Sequence, residues 1–98
     1  MAGGSTANIM VTKLMLDALK PREVDLIELA LALCSLSHVG TVDIIVTEVD
    51  AKTETIKITV KGEGLEIDEV IEEIGKYSTV VRSIDAVTVM KKSEQKAL

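Results

Sequence analysis

The side chains that could carry chemistry in this 98-residue chain are one histidine, one cysteine and a scatter of carboxylates. His38 stands in Ser37-His38-Val39-Gly40, with no serine, cysteine or paired carboxylate at a spacing that would make it a general base. Cys34 falls inside an apolar run, where a thiol reads as a small buried hydrophobe rather than a nucleophile. With no Cys-x-x-Cys, a soft-metal site of thiolates cannot form. Gly62-Glu63-Gly64 lacks the third glycine of a dinucleotide loop and the Lys-Ser/Thr of a P-loop, so it reads as a turn.

The carboxylates offer more. Asp17 and Asp85 fall in the first and last strand-like runs, and if those strands are antiparallel neighbours the two lie close together on the open face of a sheet. A salt bridge of Asp17 with Lys13 or Arg82 would relieve their repulsion. So would a hard cation, Ca²⁺ or Mg²⁺, with Glu48 or Asp50 as further ligands from the same or a neighbouring subunit. A second ligand-binding candidate is the loop Ala18 to Arg22. There Lys20 and Arg22 could hold the carboxylate of an amino-acid-like effector, as in regulatory sensor domains, although the loop has no glycine.

The elements that must position these groups follow from periodicity. Leu14, Leu16 and Ala18 alternate with Lys13, Met15 and Asp17; Val42, Ile44 and Val46 alternate with Asp43, Ile45 and Thr47; Ile56, Ile58 and Val60 alternate with Lys57, Thr59 and Lys61. The alternation falters at Glu48-Val49-Asp50, which marks a bulge or the start of a turn. A last strand runs from Val80 to Met90, on a sheet edge beside the first, with Lys91 and Lys92 at its end. Two helices intervene. The first runs over about residues 22 to 36, opened by Pro21 in its first turn; the second is one-sided, with Ile67, Val70, Ile71, Ile74 and Tyr77 opposite an acidic solvated face. The order β-α-β-β-α-β is the ferredoxin-like α+β arrangement, an antiparallel sheet with both helices on one face.

The first helix carries more apolar surface than one sheet can cover. Val24, Ile27, Ala30, Leu31 and Cys34 form one stripe and Leu26, Leu29, Leu33 and Leu36 another, together spanning roughly 240° of its circumference. We assign the leucine stripe to a subunit interface, with Met15 and Ile45 of the open sheet face as further interface candidates. The partner is then a second copy of the chain.

Composition narrows the rest. A net charge of -5 opposes binding to a polyanion, and with one tyrosine and no Phe or Trp there is no platform for stacking bases, so nucleic acid is not expected. No apolar run is long enough for a membrane span and the N-terminus has no export signal, which points to a cytoplasmic domain without membrane contact. Residues 1–8 and 93–98 lack periodicity and read as flexible ends around one domain over 9–92.

At Leu16-Asp17-Ala18-Leu19-Lys20-Pro21, then Glu48-Val49-Asp50, Thr53-Glu54 and Ser83-Ile84-Asp85, the chain resembles the archaeal domain of unknown function 211 family. The likeness runs over about residues 11 to 90. It implies a ferredoxin-like fold and ring-like homo-oligomers, and no established activity. Its members commonly carry Gly-Gly before the last strand and a histidine two residues ahead of the Ile-Asp pair, where this chain has Tyr77-Ser78 and Arg82. Asp17, Glu48, Asp50 and Asp85 match the pattern.

Overall fold

A computed structural model of the chain describes residues 8–92; the segments 1–7 and 93–98, read above as flexible ends, lie outside the described residues. The elements run β1 (Ile9–Pro21), α1 (Leu26–Cys34), β2 (Val39–Val49), β3 (Thr53–Gly62), α2 (Ile67–Gly75) and β4 (Val80–Lys91). The sheet order is β2-β3-β1-β4 with every neighbouring pair antiparallel, the ferredoxin-like arrangement expected from the element order. β2 and β4 therefore form the two edges.

Alternation decides what each strand buries. Leu14, Leu16 and Ala18 of β1 and Ile56, Ile58 and Val60 of β3 are sealed from solvent beneath the helices, joined by Val70 and Ile74 of α2. The faltering pattern in β2 is a bulge: the register against β3 shifts between Val46 and Glu48, which returns Glu48 to the open face beside Thr55. Among the described residues, β3 ends at a close approach. A Cβ on Gly62 would collide with the His38 carbonyl oxygen, and Gly64 turns through a left-handed φ of 72°, so this Gly-Glu-Gly is the structural turn its motif suggested.

The first helix departs from expectation at both ends and in its phase. Pro21 still belongs to β1, a turn closes from the Val24 N–H to the Pro21 carbonyl (3.1 Å), and Asp25 is the N-cap, accepting from the N–H groups of Ile27 (2.8 Å) and Glu28 (3.4 Å). That cap starts the helix at Leu26 rather than near residue 22. The leucine stripe is also not free for a subunit interface. Leu29 and Leu33 are 0% exposed in the core, and Leu26 and Leu36 are half-buried against it. Four leucines fill more aliphatic volume than a stripe diluted by alanine and a thiol, so they win the sheet. Ile27 and Leu31 are left at 68% and 65% exposure.

Candidate functional site

The open face of the sheet holds a ladder of charges made by the register. Asp17 on β1 is paired across the sheet with Lys57 on β3 and with Ser83 on β4. Arg82 Nη2 lies 2.9 Å from Asp17 Oδ2, Lys57 Nζ 3.5 Å from Asp17 Oδ1, and Lys57 Nζ 2.8 Å from Asp85 Oδ2. Ser83 Oγ donates to Asp85 Oδ1 at 2.7 Å, and Arg82 also reaches Thr55 Oγ1 at 3.4 Å. The hydrogen bond from Lys57, then that from Ser83, holds the Asp85 carboxyl below the usual carboxylate range; the same contact to Asp85 raises the Lys57 ammonium above its ordinary value. Of the two readings of this acidic pair, the salt bridge is the one formed, with Arg82 rather than Lys13 and with Lys57 beside it.

A cation at these acids would have to displace Lys57, which already stands between Asp17 and Asp85. Glu48 pairs with Thr55, two residues along β3 from Lys57, and Asp50 begins the β2–β3 turn, its N–H donating to the Thr53 carbonyl at 2.8 Å. Among the described residues, no three His, Cys, Asp or Glu side chains are grouped for metal binding. Met15 and Ile45 do share the open face with this ladder, Ile45 directly opposite Lys57.

Lys20 is not a surface ligand. It is 1% exposed, and its ammonium donates to the carbonyls of Pro21 (2.9 Å) and Val24 (2.6 Å) while pairing with Glu54 at 3.0 Å. The lysine thereby ties the turn before α1 to the neighbouring strand β3. A buried ammonium with three partners has nothing left for an incoming carboxylate. Arg22 is fastened to the same hairpin: its N–H donates to the Lys52 carbonyl at 2.9 Å and its guanidinium to the Asp50 carbonyl at 3.4 Å.

The third surface is apolar. Ile27, Ala30, Leu31 and Cys34 of α1 face Val42 and Ile44 of the edge strand β2 across an open groove of about 370 Å³, with Leu26 reaching both the groove and the core. Cys34, expected to be buried, is exposed here, its Sγ 3.8 Å from the Gly40 carbonyl oxygen. On the opposite edge, β4 is exposed along nearly its whole length, and Val80, Ile84, Val87, Val89 and Met90 are among the exposed apolar residues.

The DUF211 family, described as Uncharacterized ArCR, matches residues 12–96. This chain belongs to it. Uncharacterized protein MJ0319 of Methanocaldococcus jannaschii is 40% identical over 82 residues, a stretch that covers 84% of each protein. The two places where this DUF211 chain departs from the pattern of its resemblance both have a structural consequence. Arg82, in the histidine's place, supplies the guanidinium that binds Asp17. Ser78, in a glycine's place, adopts a left-handed φ of 56°.

Proposed function

We propose that this DUF211 chain is a self-assembling domain, a ring-like homo-oligomer selected for its assembly rather than for catalysis. The observation that carries the reading is the bare helix stripe: Ile27 and Leu31 remain about two-thirds exposed beside an apolar groove. Each such side chain left in water forgoes about 1.5–3 kcal/mol of burial, and contiguous patches of this kind mark interfaces more often than accidents. The interface is moved from the leucine stripe to the other side of the same helix.

The remaining proposals of the sequence fare unequally. A sensor of amino-acid-like effectors loses its anchor, since Lys20 is already neutralised by Glu54. Divalent cations draw no support from an acidic pair bridged by Lys57. Size-exclusion chromatography with light scattering decides the assembly reading: several chains per particle at micromolar concentration is the expected mass, and a monomer would sink it.

A further inference from the structure

Resting on that reading of self-assembly, we infer that the contact is head-to-tail: the β4 edge of one copy seats in the α1/β2 groove of the next, continuing its sheet. Both edge strands are long, 11 residues in β2 and 12 in β4, and among the described residues neither has a strand on its outer side. Through three antiparallel pairings β2 and β4 run in opposite directions. A copy added with its helices on the same side therefore presents β2 antiparallel to β4, the more stable pairing.

The side chains agree with that geometry level by level. Ile84 pairs with Leu16, Leu16 with Ile58, and Ile58 with Ile44; Val87 pairs with Leu14, Leu14 with Val60, and Val60 with Val42. Residues opposite each other in antiparallel strands share a face, so Ile84 and Val87 lie on the helix side of the sheet, about half exposed at 49% and 53%. Added without lengthwise shift, the next copy sets its Ile44 and Val42 beside them. Those two residues line the groove.

Charge adds to this fit at one point. Residues 39–50 carry Asp43, Glu48 and Asp50 with no Lys or Arg, whereas residues 80–92 carry Arg82, Lys91 and Lys92 against Asp85 alone. Two β2 edges would bring only acids together. In the unshifted register Lys91, level with Ile9, falls beyond the start of β2 and Asp85 comes near the level of Asp43, so the complementary group is Arg82, which, adjacent to Ser83 on the level of Ile45, falls between Asp43 and Glu48 of the neighbour. A surface that meets a different surface is heterologous, and it closes into a ring or runs on as a filament according to its rotation.

Two substitutions at exposed positions test this, Leu31→Glu in the groove and Val87→Glu on β4, each confirmed folded by circular dichroism. Each alone should be monomeric, and a one-to-one mixture should yield a two-chain particle containing one of each, because only one intact groove and one intact edge remain. Native mass spectrometry reads the composition. Val87→Glu retaining the wild-type mass while Leu31→Glu dissociates would overturn the inference in favour of a groove that meets itself. Two monomeric variants that stay monomeric when mixed at high micromolar concentration would overturn it as well. A wild type that is itself monomeric is a different result, and removes the assembly reading beneath it. Cys34 lines the groove, so its thiol should react more slowly in the wild-type particle than in either variant; equal rates would count against the contact.

Discussion

Glu54→Leu isolates the buried ammonium of Lys20 and should be among the most damaging single changes in the chain. Among the described residues its carboxylate, 19% exposed, is the one negative charge on an ammonium that is otherwise held by two backbone carbonyls. Breaking a buried ion pair from one side costs about 3–5 kcal/mol. The two carbonyls stay, and Glu54 is not fully buried, so the lower end applies: about 3 kcal/mol. In a domain of this size that lowers Tm by roughly 12–24 °C. Thermal or urea denaturation should be run at one fixed protomer concentration, because assembly shifts apparent stability by mass action. The double change Lys20→Met with Glu54→Leu removes both charges and takes the lysine donor from the Val24 carbonyl, about 1–3 kcal/mol, while the Pro21 carbonyl still accepts from the Val24 N–H, so it should be no less stable than Glu54→Leu alone. A Glu54→Leu variant within about 0.5 kcal/mol of wild type would refute the reasoning, since Lys20 would then reach water and be free again as a ligand.

Ser78→Gly should stabilise the fold by about 1 kcal/mol, because a left-handed φ of 56° costs a serine and not a glycine; chemical denaturation reads it, and a loss of stability would show that the Ser78 side chain supports the turn. Asp85 should titrate below the ordinary carboxylate range in a carbon-detected NMR experiment, and Lys57→Met should move it upward. With a folded-state pKa lowered, its contribution to stability is present above the unfolded carboxylate pKa and is lost as pH falls through the folded one; Lys57, raised, contributes below its ordinary ammonium pKa and loses that as pH climbs past it. Millimolar Ca²⁺ or Mg²⁺ should leave Tm unchanged in the wild type, and a clear rise would restore the acidic strand ends as a cation site.

Strand identity was legible because a half-buried strand writes its burial directly into period two: Leu14, Leu16 and Ala18, and Ile56, Ile58 and Val60, are the residues the sheet seals. Topology and the edge position of β4 followed from element order. The phase of α1 did not, for its two stripes are nearly equal in apolar character and only the Asp25 cap and the packing of Leu29 and Leu33 choose between them. Lys20 was misread for the opposite reason. A lysine in a polar loop is almost always solvated, and nothing local announces that Glu54, 34 positions away by number, meets it from the neighbouring strand β3. Alternation with Ile56 and Ile58 places Lys57 on the open face, but its position between Asp17 and Asp85 needs two registers to be known together.

The bare apolar positions of β4 follow from a mismatch of element lengths. Nine helical residues reach about 13 Å, whereas twelve residues of strand extend for about 40 Å. α1 packs next to β2 and α2 touches β4, and among the described residues Ile84, Val87 and Val89 on the helix side of β4 are left about half exposed. Shortening β4 would remove the problem, yet the strand keeps Ile84, Val87 and Val89 in sequence positions where a solvated edge would carry polar groups. At the other edge α1 turns its own surplus, Ile27 and Leu31, toward a groove that β2 leaves open. Among the described residues, one edge carries exposed apolar side chains and the other an open apolar groove. Level for level they fit, so in the proposed assembly the excess hydrophobicity of the first helix belongs to the contact with the next chain rather than to its own core.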